Sequence, residues 1–150
     1  MCCFYLSACL TDRVSLTDAD VAMLARQAVD LLAPDIGIDI APGEPDGPTD
    51  PPSTREWQVY PRIDDTGRFG IWLTNGMTHV GALGLLIDGL SNDASETSRF
   101  WGKPFPVCPG HRHPTSVEYP WDGQQPADAV IFRCPATHEV IAQIRPAIAD

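Results

Sequence analysis

The sequence is short of positive charge. It has one lysine and nine arginines against twenty acidic residues, which gives a formal net charge of −10. Residues 1–98 hold five arginines and fifteen acids, whereas the charges of residues 99–150 cancel. Because an acidic surface repels a polyanion, this composition disfavours nucleic acid as a partner. The excess of arginine over lysine, with frequent Ala, Pro, Gly and Asp, is typical of a GC-rich bacterial or phage genome.

Long apolar runs and cysteines are also scarce. No apolar run approaches the roughly 18–20 residues that span a bilayer. Beyond position 14 there are two cysteines, Cys108 and Cys134. We expect residues 1–16 to be an unstructured or mis-called extension, with Val14 read from a GTG codon as the natural start. The two remaining cysteines give little support for an oxidising compartment, so the sequence predicts a cytoplasmic protein.

The familiar enzyme signatures are absent. There is no G-x-S-x-G elbow, no phosphate-binding G-x-x-x-x-G-K-[ST], no H-E-x-x-H and no dinucleotide-binding glycine pattern. The zinc-deaminase order of H-x-E before P-C-x-x-C is missing as well. These absences make a common hydrolase, nucleotide-binding enzyme or deaminase a poor interpretation.

What the sequence does have is a mixed helix and strand pattern, with apolar residues at 43%, enough to bury a core. Thr17 and Asp20 form a capping-box pair, and apolar residues at helical spacing follow to Leu32. The set is Val21, Leu24, Ala25, Ala28, Leu31 and Leu32. A second apolar face predicts a helix over residues 82–98, although Gly84 and Gly89 weaken it by about 1 kcal/mol each relative to alanine. This face comprises Leu83, Leu86, Ile87, Leu90 and Ala94.

Alternating segments between and after the helices predict strands. They cover residues 36–40, 55–63, 68–74, 115–119, 129–133 and 139–144. Asn75-Gly76 indicates a hairpin, with residues 77–80 pairing back. Pro61 suggests an edge or a strand end, and the five prolines of residues 41–53 predict a solvated loop. The predicted fold is therefore α+β, with two amphipathic helices on a small antiparallel sheet (residues 17–101) and a Cys/His β-hairpin module (residues 102–150).

Cysteine and histidine concentrate in that module. Cys108-Pro-Gly-His111-Arg-His113 and Cys134-Pro-Ala-Thr-His138 hold every cysteine and histidine after position 14 except His79. Zinc prefers four such ligands, and the intervening strands would bring the two Cys-Pro turns together as in a zinc ribbon. The sequence predicts a structural zinc bound by Cys108, Cys134, His138 and either His111 or His113. The alternatives are buried apolar cysteines, a disulfide in an exported protein, and histidines that are plain surface residues.

One stretch carries a family resemblance. Residues 101–114 (W-G-K-P-F-P-V-C-P-G-H-R-H-P), followed by Ile131-Phe-Arg-Cys-Pro, resemble the C-terminal halves of small actinobacterial proteins with no assigned activity. The likeness covers about forty residues and implies a shared Cys/His module, without a catalytic residue. His138 is not a regular part of that pattern, and this strengthens the case for His113 as the fourth ligand.

Two functions follow as hypotheses. The first is a non-enzymatic protein–protein interaction protein, in which an acidic body carries a hairpin stabilised by a bound metal ion. The second is a small metal-dependent hydrolase, in which Cys108, Cys134 and one histidine hold zinc, water fills the open position and Glu139 is the general base. The number of protein ligands distinguishes them, since four close the site and three leave it open.

Overall fold

The fold combines two helices with two three-stranded antiparallel sheets, which confirms the predicted α+β class. The computed structural model describes residues 15–43, 55–63, 70–97, 106–120 and 128–148. The elements are α1 (Asp18–Leu32), β1 (Gly37–Pro42), β2 (Glu56–Arg62), β3 (Ile71–Thr74), α2 (His79–Ser95), β4 (Ser116–Glu118), β5 (Val130–Arg133) and β6 (Val140–Ile144). Within these ranges, neither helix is both long and apolar enough to cross a membrane.

Some sequence predictions fall outside the described residues. They include the extension up to residue 14, residues 44–53 of the proline-rich loop, residues 68–69 of the third predicted strand, residue 98 of the second predicted helix, and residues 102–105 and 121–127 of the predicted Cys/His module. The division of the chain at residues 101 and 102 stays a prediction.

Helix α1 begins with the predicted capping box. The Thr17 hydroxyl accepts the Asp20 N–H at 3.2 Å, and the Asp20 carboxylate accepts the Thr17 N–H at 2.9 Å. The buried face follows the predicted spacing except at its end, where Leu32 is half-buried and Leu31 is exposed. Leu31 is 40% exposed because it lies ten residues after Val21, at the edge of the stripe, and Val29 is buried instead.

Helix α2 starts earlier than predicted. Residues 77–80 do not form a strand: Asn75-Gly76 turns the chain directly into α2, whose N-cap is Thr78. The Thr78 hydroxyl accepts the Gly81 N–H at 3.1 Å and satisfies a free helical donor, so the helix starts at this point. The predicted apolar face is confirmed, and all five of its residues are buried.

The first sheet has the order β1-β2-β3, and its inner face contributes to the core. Trp57 pairs with Leu73 and Val59 with Ile71, and all four are buried. Pro61 lies near the end of β2, beyond the residues that pair with β3, where its missing N–H breaks no ladder on that side.

The second sheet has the order β4-β5-β6, so the predicted hairpin module is a three-stranded meander. Val130 and Phe132 of β5 belong to the same core cluster as the helices and the first sheet. This shared core anchors the strand that leads into Cys134.

Two glycines let α2 approach both sheets. A Cβ at Gly89 would lie 2.8 Å from Cγ1 of Ile71 in the first sheet. A Cβ at Gly84 would lie 2.1 Å from Cγ of Tyr119, the residue after β4. These positions cost helix propensity, but no larger residue fits there without displacing a neighbour.

Candidate metal centre

The first ligand loop is a closed turn before β4. Pro109 and Gly110 lie at its corner, Gly110 has φ +75°, and the His111 N–H bonds the Cys108 carbonyl at 3.1 Å. This is the pattern of a type II turn, for which Pro and Gly are the preferred central residues. The Thr115 N–H donates to the Pro106 carbonyl at 3.0 Å and closes the base of the loop. The turn therefore points Cys108 and the two histidines to the same region.

The second ligand loop joins β5 to β6. The His138 N–H donates to the Cys134 carbonyl at 2.8 Å, and the Cys134 N–H donates to the Glu139 carbonyl at 2.9 Å. His138 has φ 61°, a left-handed conformation that turns the chain back. The Thr137 N–H lies 3.4 Å from the Cys134 sulfur and donates to it. The loop thus surrounds the sulfur with backbone donors.

Four side chains from these loops meet. One ligand atom from each of Cys108, His111, His113 and Cys134 lies within 4.8 Å of the other three, so the group could hold a metal ion. Nδ1 of His111 is 3.4 Å from the Cys108 sulfur and 3.2 Å from the Cys134 sulfur. Nε2 of His113 is 4.0 Å from the Cys134 sulfur. Both cysteines are free thiols and buried, while His111 is exposed.

A backbone contact fixes which nitrogen of His113 faces the group. Its Nδ1 lies 3.0 Å from the carbonyl oxygen of Pro114, and a carbonyl only accepts. Nδ1 therefore carries the proton, and Nε2 presents its lone pair to the cluster. This is the arrangement by which proteins usually orient a metal-binding imidazole.

The pKa values of the two thiols are shifted in opposite directions. Hydrogen bonds to its sulfur, first from the Thr137 side chain and then from the Thr137 and Ala136 N–H groups, lower the pKa of Cys134 to about 6. Burial raises the pKa of Cys108, and the adjacent Cys134 adds to that effect. The hydrogen bonds at Cys134 therefore favour its thiolate form, whereas burial favours the neutral thiol of Cys108.

Two candidate residues lie outside this group. The His138 side chain is exposed and is not among the four, although its backbone shapes the second loop. Glu139 is also exposed, and its carboxylate accepts the Thr137 hydroxyl at 3.3 Å. Sequence analysis missed the role of Thr137, although its position three residues after Cys134 in a tight turn could have suggested an N–H donor to sulfur.

His79 has a separate environment. Its Nε2 lies 3.3 Å from the Asp20 carboxylate, and its side chain is 12% exposed. The two residues link the start of α1 to the start of α2, which is a structural contact.

Comparison with known proteins adds no assignment: no family model, no curated protein and no solved structure matches the chain. The resemblance to small actinobacterial proteins stays a prediction. The candidate site therefore depends on its own geometry.

Proposed function

We propose that Cys108, His111, His113 and Cys134 bind one structural zinc ion. The donor set supports this choice, because two sulfurs and two imidazole nitrogens suit zinc, whereas magnesium and calcium prefer oxygen ligands. Zn–S bonds of about 2.3 Å and Zn–N bonds of about 2.0–2.1 Å in a tetrahedron put S and N ligands about 3.5 Å apart. The S···N separations of 3.2, 3.4 and 4.0 Å lie around that value.

The number of donors supports a structural role over a catalytic one. Four protein ligands fill a tetrahedral zinc and leave no position for the water that a hydrolase activates. Glu139, the general base in the hydrolase hypothesis, is exposed, and its carboxylate contacts Thr137. The four-donor group is the observation that carries the proposal.

A zinc ion here would join two loops that have little apolar core of their own. The first loop is mostly exposed outside Cys108, and the second is exposed from Pro135 to Glu139. Such segments gain their folding energy from the ion rather than from burial.

The resulting function is that of a non-enzymatic, cytoplasmic interaction protein. The acidic body disfavours nucleic acid, both described cysteines are free thiols, and the metal-bound loops offer a rigid surface for another protein.

Metal analysis tests the proposal. Protein purified without chelator should contain close to one zinc per chain, and Cys134→Ser and His113→Ala should each lower that content. His138→Ala is the matched control, because this histidine lies outside the group and its removal should leave the zinc content unchanged. Zinc retained in Cys134→Ser but lost in His138→Ala would reject this ligand set.

A cobalt-substituted sample separates the structural from the hydrolytic role. X-ray absorption should show two sulfur neighbours in the wild type, together with the outer-shell scattering of two imidazole rings. A shell of three protein ligands and one water oxygen, with hydrolysis of a generic ester or phosphodiester only in the metal-bound form, would instead support the hydrolase.

A further inference from the structure

The two sulfur atoms of the metal group (Cys108, His111, His113 and Cys134) lie close enough to react with each other. They are no more than 4.8 Å apart, and both cysteines are free thiols. A disulfide has an S–S bond of about 2.05 Å, so each sulfur has to move by up to about 1.4 Å. Both cysteines lie in loops outside the strands, where a side-chain rotation and a small backbone shift supply that movement.

The surroundings of Cys134 suit it to react first with an oxidant. The Thr137 N–H donates to the Cys134 sulfur at 3.4 Å. Hydrogen-bond donors stabilise a negative sulfur, and the thiolate is the form of cysteine that attacks an oxidant. Cys134 is therefore the better nucleophile of the pair, and Cys108 is the adjacent cysteine that can trap its oxidised form.

One exposed side chain separates both sulfurs from solvent. The two cysteines are buried, whereas His111 is exposed and its Nδ1 lies 3.4 Å from the Cys108 sulfur and 3.2 Å from the Cys134 sulfur. Exposed side chains change rotamer within nanoseconds. A rotation of the His111 ring would open a path to the sulfurs for a molecule as small as hydrogen peroxide.

We propose that Cys108 and Cys134 form a reversible thiol–disulfide pair that is oxidised by hydrogen peroxide. The Cys134 sulfur attacks one peroxide oxygen, the O–O bond breaks, and Cys134 becomes a sulfenic acid while the other oxygen leaves as water. The Cys108 sulfur then attacks the Cys134 sulfur, the S–O bond breaks, and the hydroxide takes the Cys108 proton to leave as a second water. Each sulfur loses one electron, so two thiols and one peroxide give one disulfide and two waters.

The pair goes beyond the proposed zinc site, because the disulfide needs only the two cysteines. Its effect on a bound ion rests on the proposed function: a disulfide offers no thiolate, so zinc would lose two of its four ligands and leave. Disulfides of cytoplasmic proteins are usually transient and serve redox sensing or catalysis. A dithiol reductant restores the two thiols by exchange and becomes a disulfide itself.

Peptide mapping tests the pair in the full-length protein as purified. The protein is treated with a few equivalents of hydrogen peroxide, alkylated and digested with trypsin, which does not cleave before proline. Cys108 then falls in peptide 100–112 and Cys134 in peptide 134–150, whereas the other three cysteines fall in peptide 1–13. Most chains should contain a crosslink between peptides 100–112 and 134–150 that dithiothreitol reverses. Bound zinc should be released in step with the crosslink.

Three variants assign the steps. Cys108→Ser should stop at the sulfenic acid, which dimedone traps on Cys134. Cys134→Ser should give neither the crosslink nor a dimedone adduct on Cys108. His138→Ala is the matched control, because its side chain lies outside the group, and it should form the crosslink like the wild type. Circular dichroism checks that each variant is folded.

The wild type decides the inference without relying on the variants. Chains in which Cys108 and Cys134 stay reduced, or link to peptide 1–13 instead of to each other, would overturn it. A dimedone adduct on Cys108 of Cys134→Ser, with none on Cys134 of Cys108→Ser, would overturn the assigned order.

The zinc content before oxidation separates this inference from the proposed function. Protein that contains zinc and forms no crosslink rejects the thiol–disulfide pair and leaves the structural zinc standing. Protein that contains no zinc and forms the crosslink supports the pair and rejects the structural zinc.

Discussion

Replacing Gly84 by alanine tests the packing that positions the second sheet. In an isolated helix this change stabilises by about 1 kcal/mol. Here the new Cβ would lie 2.1 Å from Cγ, 2.5 Å from Cβ and 2.5 Å from Cδ2 of Tyr119. Carbon atoms in contact are about 3.5–4.0 Å apart, so Tyr119 must move by more than an ångström or leave the helix surface.

The sign of the net effect follows from the size of the two terms. Overpacking costs about 1–3 kcal/mol, and loss of a buried aromatic side chain costs about 3–5 kcal/mol. Because Tyr119 is half-buried, we take a cost of about 3 kcal/mol, where the two ranges meet, and subtract the helix-propensity gain of about 1 kcal/mol. Gly84→Ala should therefore destabilise the protein by about 2 kcal/mol.

The assay is urea unfolding of the protein as purified, followed by tryptophan fluorescence. A double-mutant cycle with Tyr119→Gly isolates the contact. Glycine is required at position 119 because the Tyr119 Cβ would remain after truncation to alanine. In this background Gly84→Ala should become stabilising by up to about 1 kcal/mol. Gly76→Ala is the control, since its Cβ would meet nothing closer than 4.0 Å and the change should be nearly neutral.

Two results would refute this reasoning. Helix propensity alone predicts that Gly84→Ala stabilises the wild type, and that outcome would mean that the helix and Tyr119 are not in contact. An equal loss of stability in both backgrounds would show that the cost arises elsewhere in α2.

Two further predictions concern the N-terminal helix. Hydrogen bonds from Thr17 hold the pKa of Asp20 at about 2, against an ordinary 3.8, so the carboxylate stabilises the fold above about pH 4 and this stabilisation is lost as the pH falls through 2. In urea unfolding, Asp20→Asn should therefore be less stable than the wild type at pH 7, and the difference should disappear toward pH 2. A stability difference that does not depend on pH would contradict the lowered pKa. The Gln27 amide donates to the Arg145 carbonyl at 2.7 Å and accepts the Ala147 N–H at 2.8 Å. Gln27→Ala should therefore lower the protection of the Ala147 N–H from hydrogen exchange by about 1 kcal/mol. Gln27→Glu, which keeps only the acceptor, should retain that protection.

The helices show how far local patterns predict this fold. The capping box and apolar spacing of α1 are local features, so its start and buried face follow from the sequence. The start of α2 does not, because Asn75-Gly76 is equally compatible with a hairpin and with a turn into a helix. Thr78 and its bond to Gly81 decide between them, and that cap was overlooked.

Gly84 and Gly89 show what local patterns omit. On propensity they only weaken a helix, and nothing in the sequence indicates that Tyr119 and Ile71 pack against them. That contact depends on how two sheets meet one helix, which is a property of the tertiary fold. The same holds at the metal group. The spacing of the residues alone did not decide which of three histidines lie beside the two cysteines, whereas the turn geometry brings His111 and His113 to them.

Strands that belong to the core lead into both loops of the metal group, and this limits the folding free energy that a bound ion would contribute. The strand after the first loop leads to Tyr119, which packs against Gly84 of α2, and the strand before Cys134 contributes Val130 and Phe132 to the core. In an isolated zinc-finger peptide the ion supplies nearly all the folding free energy, about 10–16 kcal/mol. Here the strands are positioned by burial, so a bound ion would have mainly the two loops left to order. Chelation of a bound ion should therefore release the two ligand loops while the helices and the first sheet stay folded.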